Sequence, residues 1–151
     1  MGAVVEFAPG LGITARMTLT RQPRSYTAVE RDEDAANIVR KYLSGVSQRC
    51  VVGDAAATGL PDGCASVVYG EAMLTMQSPQ QKEQIVREAE RLLRPGGRYG
   101  IHEISLIPDD VAVETIDAIS HDLSHVIHQG VHPMTRIDWS RMFETCGLAV
   151  R

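Results

Sequence analysis

The chain is poor in the residues that staple or densely fill small domains: 151 residues hold three cysteines, one tryptophan and two phenylalanines. Cys50, Cys64 and Cys146 are odd in number, far apart and without a C-x-x-C pair, which excludes a disulfide framework and a zinc ribbon. They read as reduced, buried small hydrophobes, and so predict a cytoplasmic protein. No apolar run approaches the ~20 residues of a membrane span, and no basic, signal-like segment opens the chain. Positive charge is also scarce. Fifteen Lys and Arg against nineteen Asp and Glu leave a net charge of -4, with no electrostatic case for nucleic acid or an anionic membrane.

What is present is ordinary globular material, 44% hydrophobic and 23% charged, and long enough for one domain with a core of its own. It is organised around Val4-Val5-Glu6-Phe7-Ala8-Pro9-Gly10-Leu11-Gly12-Ile13-Thr14-Ala15. Val4, Val5 and Phe7 predict a buried strand. Gly10 and Gly12 predict a turn where backbone can approach a ligand, and a helix follows whose free N–H groups point into that turn. Such a loop sits where open α/β sheets bind nucleotides. Gly10-x-Gly12-x-x-Ala15 also satisfies the dinucleotide fingerprint. Glu6 tells against a pyrophosphate, which it would repel. A buried carboxylate needs a polar or cationic partner, and a ligand with ammonium and sulfonium groups, S-adenosylmethionine, would suit it.

Taken in order, the chain predicts β-α-β-α-β-β-α-β. Ser25 to Glu30 is a second strand ending in a carboxylate 20 residues after Gly10, a spacing suited to binding both ribose hydroxyls. Asp32 or Asp34 caps the next helix. Cys50-Val51-Val52 is a third strand, after which Asp54 can accept from an adenine amine and the Ala55 N–H can donate to a ring nitrogen. Ala65 to Tyr69 is a fourth strand running into Gly70-Glu71. Ser78-Pro79-x-Gln81 starts a helix that ends at Arg94-Pro95-Gly96-Gly97, and Arg98 to Ile104 is a fifth strand. The fold expected is α/β, a Rossmann-like, mostly parallel sheet with helices on both faces, five strands and the start of a sixth. One domain is expected over 1–151, with a cofactor-binding core over 1–107 and a helical cap and nascent strand over 108–151.

Glu6-Phe7-Ala8-Pro9-Gly10-Leu11-Gly12, Val29-Glu30, Gly53-Asp54-Ala55 with Leu60-Pro61-Asp62-Gly63, and Leu92-Leu93-Arg94-Pro95-Gly96-Gly97-Arg98 together resemble the successive motifs of class I S-adenosylmethionine-dependent methyltransferases. The resemblance covers about residues 3–107, and Trp139 to Leu148 resembles the approach to a sixth strand. It implies that Glu6, Ala8, Gly10 and Gly12 line the methionine side of the cofactor. Glu30 would then hold the ribose, Asp54 and Ala55 the adenine, with Gly70 and Glu71 near the sulfonium. Ala8 departs from the pattern, since the family usually has glycine there. The reaction implied is direct displacement of the methyl group by a small-molecule acceptor, with His102 and Glu103 as candidates for a general base. The alternatives are an NAD(P)-binding oxidoreductase-like domain and a truncated, non-catalytic cofactor-binding domain.

The segment after Pro108 predicts a helix over 111–129. Ile116, Ile119, Leu123, Val126 and Ile127 share one face, while Asp117, His121, His125 and His128 share the other. That stripe reads as a solvated surface with no metal; zinc binding and a lid over the cleft are the competing readings. The resembling family usually carries N-terminal helices and seven strands. An incomplete methyltransferase is therefore expected, its fifth strand left with an open edge inviting a homodimer.

Overall fold

The β-rich run before the glycine turn lies at the centre of a parallel sheet. A computed structural model describes residues 2–151. Its main sheet is built from β1 (Ala3–Phe7), β2 (Ser25–Glu30), β3 (Gln48–Val52), β4 (Ala65–Glu71) and β5 (Leu93–His102), in the order β3-β2-β1-β4-β5. The helices between them are α1 (Ile13–Leu19), α2 (Glu33–Arg40) and α3 (Pro79–Leu92). The fold is α/β and Rossmann-like. Strand alternation divides the core into two layers. Val4, Tyr26, Ala28, Val67 and Tyr69 face α1 and α2, packing with Ala15 and Val39. Val5, Phe7, Val29 and Val68 face the other way, onto Ile85, Val86, Ala89 and Leu92 of α3 and Trp139 of α5 (Arg136–Thr145).

Helix starts follow local chemistry. The Asp32 carboxylate accepts from the Ala35 N–H at 2.9 Å to cap α2. Ser78 caps α3 with Pro79 in its first turn, and Thr135 caps α5. Strand ends are less regular. The β4–β5 ladder begins at Ala65 opposite Leu93 and resumes at Val67 opposite Arg98, so Arg94-Pro95-Gly96-Gly97 loops out between two paired positions. The fifth strand thus begins before the turn that its sequence signals. It stops at His102 rather than Ile104, because Glu103 turns aside to bind the loop after β4. Residues 148–151, expected to begin a sixth strand, are irregular, as no neighbouring strand pairs with them among the described residues.

After β5 the chain makes a clamped excursion. β6 (Ser105–Leu106) pairs in parallel with β7 (Met134–Thr135), and α4 (Val113–Ile127) spans the distance between them. The apolar face of α4 is only partly covered: no residue of the helix is buried, with Val126 73% and Ile127 47% exposed. Its roots are fastened more firmly. Arg136 pairs with Asp109 at 2.9 Å, and the His132 N–H donates to the Thr75 carbonyl at 2.7 Å. Lys82, only 1% exposed in the first turns of α3, donates from Nζ to the His132 carbonyl. The same ammonium lies 5.0 Å from the centre of the Trp139 ring, whose Nε1 donates to the Ile104 carbonyl at 3.0 Å.

Burial pulls the Lys82 ammonium down to about 8, with the nearby Glu103 charge working against the shift. Above that value the folded chain gives up a proton that the unfolded chain keeps until the ordinary lysine range near ~10.4, so Lys82 makes stability rise with pH across that window. Lys82→Met removes the contribution. The melting temperature of the wild type should therefore gain on that of the variant between about pH 8 and about pH 10, by on the order of 3–6 °C. A gap that stays constant with pH would contradict the burial of a charged amine here.

Candidate functional site

Three left-handed residues in a stretch of five shape the loop after β1: Ala8 at φ +49°, Gly10 at +52° and Gly12 at +75°. The two glycines are there for different reasons. A Cβ on Gly10 would meet nothing within 4 Å, so this lip of the loop is open to a ligand. A Cβ on Gly12 would lie 2.8 Å from the Tyr42 ring, so Gly12 is needed to bring α1 against the segment following α2. Ala8 adopts the left-handed conformation although it carries a Cβ, and its N–H donates to the Val29 carbonyl at 2.9 Å. A second alanine, Ala72, does the same just after β4, at φ +50°. β1 and β4 are the neighbours from which the chain runs outward in opposite directions, first to β2 and β3, then to β5. Backbone strain thus marks both lips of the crevice where open α/β sheets bind ligands.

Glu30 ties that crevice together. It ends β2 at 7% exposure, accepting from the Gly10 N–H through Oε2 and from the Asp32 N–H through Oε1, each at 3.0 Å. Its own carbonyl accepts from the Gly53 N–H at 2.9 Å, which draws the loop after β3 alongside. About two of a carboxylate's four acceptor sites remain for a ligand. In that next loop Asp54 is exposed; its Oδ1 accepts from the Ala56 N–H at 2.8 Å, while Ala55 is half-buried. Glu88 of α3 anchors the loop from below, accepting from the Thr58 N–H at 2.9 Å and Oγ1 at 2.5 Å. Burial opposes the Glu88 charge, but hydrogen bonds from Arg91 and Thr58 outweigh it and hold the carboxyl below the usual range.

Glu6 stands apart from the lips. It is 1% exposed on the sheet face under α1, accepting from Thr14 Oγ1 and the Tyr26 hydroxyl at 2.5 Å and from the Tyr69 hydroxyl at 2.6 Å. The partner that its burial demands, sought above in a ligand cation, is supplied by three protein hydroxyls. Burial, followed by the Glu6 charge, raises both phenols. Because Tyr69 gives its proton to Glu6, Thr18 donates to Tyr69, at 2.6 Å. Alternation fixes faces only within a strand, so it is the register, Val4 opposite Tyr26 and Glu6 opposite Tyr69, that puts Glu6, Tyr26 and Tyr69 on one face. A cavity of about 280 Å³ lined by Thr14, Met17, Thr18, Val67 and Tyr69 lies on that face, away from the glycine lip.

On the far side of the crevice, Gly70 is buried where a Cβ would meet Met73 Cγ at 3.2 Å, so its smallness serves packing. The next two positions separate the base candidates. His102 is opposite Glu71 in the ladder; its Nδ1 lies 3.1 Å from Glu71 Oε1, and the imidazole is 84% exposed. Glu103 instead accepts four hydrogen bonds: from the N–H groups of Met73 at 2.9 Å, Leu74 at 2.7 Å and Thr75 at 3.0 Å, and from Thr75 Oγ1 at 2.7 Å. That fills a carboxylate's acceptor capacity and makes Glu103 a brace for the loop after β4. Asp117, His121 and His125 of α4, and His128 just beyond its end, are all exposed, and among the described residues no three such side chains converge as a metal site.

Replacing Ala8 by glycine should relieve roughly 1–2 kcal/mol of left-handed strain and add back ~0.5–1 kcal/mol of unfolded-state entropy. Chemical denaturation of Ala8→Gly is expected to show a gain of up to about 1.5 kcal/mol by that balance. A loss of stability would mean that the backbone at Ala8 is not left-handed.

Comparison with known proteins agrees with this geometry. An uncharacterized protein of Haemophilus influenzae is 29% identical over 148 residues, 95% of this chain and 57% of its own length. The YcgJ protein of Bacillus subtilis superposes with a TM-score of 0.82 at 19% identity, over 97% of this chain and 62% of that one. A Haloferax volcanii protein crystallised with the Trm112 methyltransferase activator superposes at 0.79 with 17% identity, over 99% and 62%. The chain thus spans about three fifths of the length of these relatives, and the two structural matches speak for the fold alone. Residues 4–97, from the first strand through the glycine loop to the Arg-Pro-Gly-Gly turn, match the family described as Methyltransferase domain. The chain belongs to that family and has the class I S-adenosylmethionine-dependent methyltransferase fold.

Proposed function

We propose that the chain binds S-adenosylmethionine across the carboxyl ends of β1, β2 and β3 and transfers its methyl group to a small-molecule acceptor. One observation carries the reading: the Glu30 carboxylate, held against the Gly10 amide, keeps free acceptor sites beside an open glycine lip. The donor set suits the cofactor, with the rest of Glu30 available to the ribose diol and the exposed Asp54 to the adenine amine. Ala55 and the Ala8–Gly12 loop complete the seat. Glu6 supports it from beneath by fixing Thr14 at the start of α1. When bound, the cofactor supplies a methyl group already activated by its sulfonium.

What the chain adds is position and a proton acceptor. Glu71 takes the Nδ1–H of His102, which leaves the lone pair on Nε2 facing away from Glu71 and ready to accept a proton from an incoming nucleophile. Gly70 and Glu71 would lie near the sulfonium, with the Met73–Thr75 segment that follows them braced by Glu103. The free thiols of Cys50, Cys64 and Cys146 fit a reducing, cytoplasmic setting. The outer edge of β5 carries no partner strand among the described residues, and a homodimer is proposed to join the sheet there.

Calorimetry with S-adenosylhomocysteine tests the seat. Glu30→Ala removes one or two hydrogen bonds to a charged acceptor, worth roughly 1.5–3 kcal/mol each, and should weaken binding about ten- to a hundredfold. Unchanged affinity in a folded variant would overturn the ribose assignment. Tighter binding of NADH than of S-adenosylhomocysteine would favour an oxidoreductase-like domain.

A further inference from the structure

Lys82 and Glu103 are opposite charges that, among the described residues, form no direct ion pair. A series of hydrogen bonds joins them instead, through two peptide groups. Lys82 Nζ donates to the His132 carbonyl, and the His132 N–H donates to the Thr75 carbonyl at 2.7 Å. Thr75 in turn gives its N–H and its Oγ1–H to Glu103. The chain returning from α4 is thus gripped between a buried ammonium and a half-buried carboxylate. The ammonium is poorly served there. It carries three N–H donors, of which the His132 carbonyl takes one, and it otherwise faces the Trp139 ring. From the end of β5 the Glu103 charge acts on it; α5 offers an uncharged ring, and the returning chain a carbonyl, with His132 itself exposed. On its own helix the adjacent Glu83 is paired with Arg87.

We propose that residues 128–133 form a strap, shut against the loop after β4 and α3 through His132, which opens locally as the Lys82 ammonium takes up water. The fastenings divide in the way such a device needs. Asp109, bonded to Arg136 and to the Ile137 N–H, joins the two roots of the arm to each other, and the β6–β7 pair does the same. The Val131 N–H donates to Ser124 Oγ at 2.9 Å, which ties the strap to α4. Among the described residues, two hydrogen bonds join the strap to the loop after β4 and to α3, and both are made by His132. Turning points lie just before it: His128 ends α4 in the left-handed region at φ +55°, and Gly130 is exposed. Opening therefore costs those two bonds and the uncovering of Val131 and Pro133, far less than dismantling the sheet. Under the methyl-transfer reading proposed above, on which this consequence alone rests, the strap regulates the segment that follows Gly70 and Glu71.

The proton gives the strap a sign. Shut, the amine is held down at about 8; released into water it returns to the ordinary range near ~10.4. Proton uptake therefore favours release, and rising pH favours closure. Hydrogen exchange on the whole chain without ligand, labelled by quench-flow and corrected for intrinsic rates, tests this. Opening at the His132 amide should fall about tenfold between about pH 7 and about pH 9. At about pH 7 that amide should exchange at least about a hundredfold faster than Val5 in the central strand, as local opening requires. Lys82→Met and Lys82→Arg, whose side chains do not titrate in that range, should each lose the pH dependence. A flat profile in the wild type, the same fall in Lys82→Met, or exchange at His132 as slow as at Val5 would overturn the proposal. Because no cofactor is present, these outcomes are independent of whether S-adenosylhomocysteine binds.

Discussion

The candidate site depends on one carboxylate bonded to one backbone amide. Glu30 reaches from the end of β2 to the Gly10 N–H, while its own carbonyl takes the Gly53 N–H, so three loops from three different strands converge on a single residue. Ala8, unlike Gly10, carries a Cβ that disfavours its left-handed backbone. The bonds Gly10–Glu30 and Ala8–Val29 set that geometry against the cost of strain. Below the sheet surface, Glu6 performs the matching task for α1 and β4 through Thr14 and Tyr69. Two acidic residues that sequence reasoning placed together around a ligand therefore divide the work: Glu30 shapes the seat and Glu6 its foundation.

The far side of the crevice is built on the same principle with different parts. Glu103 gathers three consecutive N–H groups of the loop after β4, and Lys82 fastens the segment after α4 to that loop through His132 and Thr75. Both are buried or half-buried charges whose neighbours are backbone groups, an arrangement that fixes loops firmly because leaving either charge unpaired would be costly. What these braces leave exposed is the Glu71–His102 pair and the half-covered apolar face of α4.

Local signals in the sequence were legible where the chemistry is local. The Ser78-Pro79 start of α3, the Asp32 cap and the end of β2 at Glu30 lie where turn and capping rules put them. The 20-residue step from Gly10 to Glu30 also corresponds to a direct contact between them. Reading failed where contacts join distant strands. The hydroxyl partners of Glu6 come from three elements, and nothing near Glu6 in sequence announces Tyr69. Lys82 sits near the exposed start of a helix, so its burial under Trp139 depends on α5 folding back from more than 50 residues away. Arg94-Pro95-Gly96-Gly97 reads as the end of a helix and a turn, yet α3 stops at Leu92 and the ladder to β4 already exists at Leu93.

The most direct test of the account is a residue-resolved titration of the isotopically labelled chain with S-adenosylhomocysteine, followed by amide NMR. The account predicts that the largest shifts fall on Gly10, Asp32, Gly53 to Ala55 and Ala72, the amides lining the crevice between the ends of β1, β2, β3 and β4. Shifts confined to Arg98–His102, to the cavity beside α1, or absent altogether at saturating ligand would contradict it.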